Sequence, residues 1–197
     1  MPLFSASAKD ANDIAAILTE LGHDSDRAAG LVGAVLVEQS LTVLIRSRLI
    51  TDEDLLDQLL RPSGPLGAFS VKITIGYLLG LFSLVARKEL ETIKEIRNEF
   101  AHRVARSFSF ERIRDLANNL SLSEKIEFHM VHKEGGEAVL YIGAKPPVDQ
   151  PSVLMLPPIS PDQLTPRERY LRACQFFSGA LLLTAQAMPK NFHPVYF

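Results

Sequence analysis

Residues 90–104 read LETIKEIRNEFAHRV, and the class of fold turns on how this stretch is taken. On a helix, Leu90, Ile93, Phe100 and Val104 form one apolar seam of alternating three- and four-residue steps, with Arg97 in the position between Ile93 and Phe100. The residues three and four places from Arg97 are Ile93, Lys94, Phe100 and Ala101, so its own helix offers no acidic partner. A partly buried charge without a partner is costly. Arg97 must therefore meet a carboxylate from another helix, face an interface, or receive an anionic ligand. His102 lies on a different stripe with Glu95 and Asn98, from which Asn98 can orient the imidazole or the ring can cap a carbonyl near the helix end. Arg97 and His102 stand about 140° apart around the axis and about 7.5 Å along it. One helix does not bring them together, whereas two such helices related by a two-fold axis can.

Helical periodicity extends outward from this segment through the first two thirds of the chain. Residues 10–21 form a short amphipathic pattern ending at Gly22, and 26–50 a long apolar one closed by Arg46 and Arg48, where positive charge suits the helix dipole. Thr51 is placed to cap TDEDLLDQLL, whose first turn is acidic. In the loop RPSGPLGAFS, Gly64, Pro65 and Gly67 set a tight turn, and Ser70 or a neighbour starts the next helix. Gly76 and Gly80 lie one turn apart and would let a neighbouring helix approach. The motif helix is expected from about 83 to 106, another from 109 to 119, and Ser121 with Glu124 suggests a capping box for a helix SEKIEFHMVH.

After His132 the pattern changes. Residues 133–164 hold six prolines and three glycines, which excludes a long helix and reads as a loop crossing the helical body. Within it AVLYI and SVLML are short strands or extended segments. Thr165-Pro166-Arg167-Glu168 then supplies a cap, a proline at the first helical position and a glutamate three after the cap, starting a helix to about 188. The expected fold is all-α: one bundle-like domain of about seven helices, with a body at 1–132, a loop insertion at 133–164, a helix packing back at 165–188, and an aromatic tail at 189–197.

Composition narrows the function classes. A net charge of −2 over 197 residues argues against a surface coated in basic groups for nucleic acid. The single cysteine, Cys174, precludes an internal disulfide, and its apolar neighbours mark it as a core residue. The start, MPLFSASAKD, lacks the pattern of a secretory signal. VKITIGYLLGLFSLVA carries Lys72, and ACQFFSGALLLTAQAM is broken by two glutamines, so both fall short of the roughly 20 apolar residues of a membrane span. A cytoplasmic location is expected.

Arginine with histidine and no metal suits phosphoryl transfer on RNA. His102 would act as general acid or base for attack by the 2′-hydroxyl, Arg97 would stabilise charge at phosphorus, and Asn98 would position them. Arg103, Arg106 and Lys72 are the candidates for an anionic-ligand rim. Part of the charge around the helix end, Glu99 with Arg103 for example, reads as an ordinary ion-pair face. Glu127, His129 and His132 form E-x-H-x-x-H, which as a helix face lacks a third or fourth ligand. No metal or cofactor is expected.

GPLGAFSVKITIGYLLGLF followed by ELETIKEIRNEFAH resembles the bacterial mannitol operon repressor family in its turn, its Gly80 step and the spacing to Arg97, across about 27–116. PRERYLRACQFFSGALL is similar, more loosely, to that family's final helix. IRNEFAH also resembles the R-x4-H signature of the HEPN superfamily, helical domains that dimerise through this region and include metal-independent ribonucleases. The first resemblance implies a transcriptional regulator, the second a catalytic pair of Arg97 and His102 acting on RNA. The second also implies dimerisation, and a homodimer is the expected state. No recognition helix after a tight turn is visible, so direct reading of DNA bases is not expected, and action through a protein partner suits the near-neutral charge better.

Overall fold

The computed structural model describes residues 25–49, 51–103, 105–125, 128–132, 138–142, 152–156 and 160–187. The helix expected at 10–21 and the tail at 189–197 lie outside these residues.

The body is all-α, as the periodicity requires. Helix α1 spans Asp26–Arg46, α2 Glu53–Leu60, α3 Phe69–Leu78, α4 Leu84–His102, α5 Glu111–Asn118, the four-residue α6 Leu122–Lys125, and α7 Pro166–Ala187. Helix α1 is central: it packs most extensively along α7 and also touches α4 and α3. By length and composition α1 is apolar enough to cross a membrane, a property the sequence reading overlooked. Here its apolar residues Ala29, Leu36, Val37, Leu41, Leu44 and Ile45 are buried against the other helices.

Capping chemistry sets most boundaries. Ser25 and Ser83 cap α1 and α4 by accepting from Ala28 N–H and Ala86 N–H. Asp52, one residue beyond the expected Thr51, caps α2 through Leu55 N–H. At α7, Thr165 N–H donates to Glu168 Oε2 at 2.8 Å and Glu168 N–H to Thr165 Oγ1 at 3.3 Å, the reciprocal box that the sequence announced. Donation from both Thr165 N–H and the Thr165 hydroxyl holds the Glu168 carboxyl below the usual carboxylate range. Gly80 corrects an expectation. It lies beyond the end of α3 with φ +71°, where Gly80 N–H bonds Tyr77 O at 2.9 Å and Leu81 N–H bonds Gly76 O at 3.0 Å. That is a helix-stopping Schellman motif, which favours glycine, rather than a packing notch. Gly76 alone takes the close approach, of the Phe82 ring.

The second correction concerns residues 123–164. Of the expected helix at 123–132, the α-helical part among the described residues is confined to Leu122–Lys125. Phe128–His132 forms β1, and Ala138–Ile142 (β2) and Ser152–Leu156 (β3) pair with it in an antiparallel sheet of order β2-β1-β3. AVLYI and SVLML are thus strands, while the expected helix SEKIEFHMVH is mostly not a helix. The overlooked signal is the period-two alternation of Ile126, Phe128 and Met130 with Glu127 and His129, followed by Gly135-Gly136 between two apolar runs. His129 and His132 do not share a helix face, and the premise for pairing them as metal ligands lapses.

The core gathers at one aromatic junction. Phe100 of α4 lies 5.0 Å from Phe108, which lies 5.3 Å from Tyr170 of α7, ring centroid to centroid. Tyr170 donates its hydroxyl hydrogen to the Gly30 carbonyl at 2.7 Å. A Cβ on Gly30 would fall 2.6 Å from Phe100 Cε2, so the glycine is what admits the ring. Cys174 is fully buried beside Tyr170, and burial pushes its thiol up to about 12, as befits an inert core group.

Charged groups fasten the periphery. Asp26 accepts from Phe108 N–H at 2.9 Å and pairs with Arg167 at 2.8 Å, joining the starts of α1 and α7 to the loop after α4. Arg48 donates to the carbonyls of Thr184 and Ala185 near the end of α7. Arg46 pairs with Glu53 and Asp57 of α2 rather than merely facing its own helix dipole. Buried Glu89 accepts from Ser121 N–H and Leu122 N–H, each at 2.9 Å, and burial raises its carboxyl above the ordinary range despite these bonds.

Two outcomes follow from this packing. Gly30→Ala gains helix propensity of roughly 1 kcal/mol but collides with Phe100, and overpacking of that kind costs about 1–3 kcal/mol. The collision involves a fully buried ring, so we expect a Tm lower by several degrees in thermal unfolding. For Glu89, a folded-state pKa above the unfolded one gives a contribution that is complete at low pH and lost as pH rises through the folded value. Urea titrations should therefore show wild type losing stability relative to Glu89→Gln as pH rises above about 4.3, the ordinary glutamate value.

Candidate functional site

The buried stripe of α4 runs through Glu89, Leu90, Ile93, Ile96 and Phe100. Ile96, not Arg97, fills the seam between Ile93 and Phe100, since steps of three and then four serve burial equally well. Arg97 is displaced to the edge of the stripe, half-buried, beside Lys94 and Asn98 on the neighbouring face. That rotation decides where the cation goes.

It goes into a cavity of about 440 Å³ between α1, α3, α4 and the loop before α3. Lys94, Arg97 and Asn98 come from α4, Glu38 from α1, Lys72 and Ser70 from α3, and Pro62 and Gly67 from the loop. Arg97 Nη1 donates to Asn98 Oδ1 at 3.1 Å. Among the described residues no carboxylate pairs with Arg97 or Lys94. Lys72 is buried and donates to Glu38 Oε1 at 3.0 Å. Three cations thus share the cavity with one carboxylate, and that carboxylate already holds Lys72.

The turn motif builds the wall of this cavity. Leu66 N–H bonds Leu59 O at 2.9 Å, and Gly67 N–H bonds Gly64 O at 2.9 Å, folding the loop back on the end of α2. A Cβ on Gly64 would meet the Leu59 carbonyl oxygen at 2.5 Å, and one on Gly67 the Pro62 oxygen at the same distance, so backbone contact requires both glycines. The loop delivers the chain to Ala68, which starts α3 with no side-chain cap. Ala68 O takes the N–H groups of Val71 and Lys72, leaving those of Phe69 and Ser70 at the cavity without an acceptor among the described residues. Ser70 stands inside the helix, not at its cap.

The expected residues therefore divide. Arg97, Asn98, Lys72 and Gly67 converge. His102 does not: it is exposed at the end of α4 and lines no part of the cavity, and Asn98 bonds Arg97 instead of orienting the imidazole. Arg103 is exposed at the helix end, and the Arg106 guanidinium lies 3.3 Å above the Phe110 ring centroid. Arg112 pairs with Glu99 at 2.9 Å, taking the acid expected for Arg103, and Arg114 pairs with Asp115 at 3.4 Å. The rim beside His102 is thus neutralised only at Arg112 and Arg114, and Lys72 belongs with Arg97. Sequence reasoning missed Lys94 and Glu38. Their signals were available: Lys94, Arg97 and Asn98 share one helical face, and Glu38 interrupts an otherwise apolar stretch of α1.

Comparison of the chain with protein-family models, with curated proteins and with solved structures found no match.

Glu38→Ala would leave Lys72 buried among cations without its carboxylate. Removing one partner of a buried pair costs about 3–5 kcal/mol, and the partial exposure of Glu38 sets the expectation near the lower end. Urea unfolding should register that loss, while Glu91→Ala, which removes an exposed i,i+4 partner of Arg87, should change stability by about 0.5 kcal/mol or less.

Proposed function

We propose that this protein is a cytoplasmic, homodimeric, non-catalytic regulator of the mannitol-operon-repressor type, acting through a protein partner rather than by reading DNA bases. The observation that carries this reading is the tip formed where α3 turns into α4. Leu78, Leu79, Leu84 and Val85 are 72%, 41%, 49% and 54% exposed around the Gly80 turn. Four large apolar side chains grouped on one turn form a surface suited to protein contact. The pairing of Arg112 and Arg114 with carboxylates leaves less free positive charge beside His102 for a phosphate backbone, which supports the same reading.

The second reading, a metal-independent endoribonuclease, is favoured by a specific pair of facts. Arg97 has no carboxylate partner among the described residues, and His102 is exposed. Within one chain the two side chains stand apart, so the enzyme would need His102 of one protomer to meet Arg97 of its partner.

Total cellular RNA incubated with the purified protein in EDTA, beside His102→Ala, separates the two. Under the regulatory reading the RNA stays intact in both reactions, and light scattering finds a dimer that Leu78→Asp with Val85→Asp dissociates or strips of its partner. RNA cleaved by the wild type and spared by His102→Ala would overturn that reading.

A further inference from the structure

We propose that the cavity lined by Lys72, Lys94 and Arg97 is a binding site for a small phosphomonoester, filled from within a single protomer. The inference does not depend on whether the protein is a regulator or a nuclease, because it requires neither His102 nor a second chain.

Three independent features converge on it. The first is charge: Lys94 and Arg97 face the cavity without a carboxylate of their own among the described residues, while Glu38 is engaged by Lys72 at 3.0 Å. Placing two half-buried cations side by side is unfavourable unless an anion joins them. The second is backbone: the N-terminus of the ten-residue α3 opens on the same cavity without a side-chain cap, with Phe69 and Ser70 N–H unclaimed. Such N–H groups together with the helix dipole favour phosphate oxygens. The third is size. A volume of about 440 Å³ lies toward the small end of ligand cavities and suits a phosphate carrying a short polar body.

The chemistry assigns roles. Arg97, oriented by its bond to Asn98, offers its guanidinium fork to two phosphate oxygens. Lys94 supplies a second charge, and the α3 N–H groups take the remaining oxygen. Glu38 and Asn98 carry the acceptors that the hydroxyls of the ester's organic part would meet. Gly67 lets the loop close on its own start at Pro62, which forms part of the same wall. A single anionic group is favoured over a polymer because the two cations without a carboxylate converge in this cavity, whereas toward His102 Arg112 and Arg114 are paired with carboxylates and Arg106 is stacked on Phe110, leaving Arg103 exposed.

The test is isothermal titration of the full chain with inorganic phosphate and with glycerol 3-phosphate at low ionic strength, with glycerol as the neutral control. Saturable binding of the ester and none of glycerol is expected. Arg97→Ala and Lys94→Gln should each weaken it by about tenfold or more, the usual scale for a charge-assisted contact. Glu38→Gln, which removes the only carboxylate of the lining, should tighten it several-fold. Arg97→Lys keeps the charge and loses the fork, so an intermediate affinity is expected from a variant that retains the folded circular-dichroism spectrum of the wild type. Absence of binding by the folded wild type, or equal binding by wild type, Arg97→Ala and Lys94→Gln, would overturn the proposal. So would Arg97-dependent binding of a single-stranded RNA oligonucleotide that glycerol 3-phosphate does not displace, since that assigns the cations to a polymer.

Discussion

Phe100 can reach the centre of this molecule only because residue 30 has no side chain. The ring lies against the backbone of α1, Phe108 follows it, and Tyr170 closes the group by donating to the Gly30 carbonyl. This one junction fixes α1, α4, α7 and the loop after α4 relative to each other. It also fixes the rotation of α4. With Phe100, Ile96 and Ile93 turned inward, Lys94, Arg97 and Asn98 have one remaining direction, toward α3 and the loop before it.

Charge serves placement more than stability here. Asp26 holds the starts of α1 and α7 to the segment containing Phe108, and Glu89 holds the chain at Ser121 and Leu122. Arg169 and Glu124, both buried, pair at 2.9 Å across α7 and α6. Buried pairs of this kind recover little beyond their desolvation cost, but a misregistered alternative would leave each charge bare. They therefore penalise wrong arrangements of helices whose apolar faces are broad and weakly directional. The cavity differs from these sites in that its cations outnumber its acids.

Two surfaces follow from that framework and are served by different parts of the chain. The apolar tip comes from a helix stop, because Gly80 ends α3 and forces the next residues to turn in the open. The cationic cavity comes from the glycine-rich loop, which presses onto α2 and leaves the first turn of α3 uncapped. The regulatory proposal places its partner contact at the first, while the ligand proposed for the second is independent of it.

Much of the architecture was legible in the residues themselves. The cap at Thr165, the glycines of the turn and the periodicity of the apolar positions act over three or four residues, so local sequence states them directly, although the cap of α2 falls at Asp52, one residue beyond the expected Thr51. The sheet at 128–156 was obscured because a capping box and a cluster of apolar residues resemble a helix start until their period is counted. The site was legible in its members but not in its grouping. The sequence by itself determined that Arg97 would lack an acidic partner on its own helix and that Gly67 would be needed by its turn. Only the tertiary structure decided that Arg97 leaves the seam to Ile96 and joins Lys72, Lys94 and Glu38. Helix rotation is set by the sum of contacts from α1, α7 and the aromatic junction, and no property of residues 90–104 alone contains that sum.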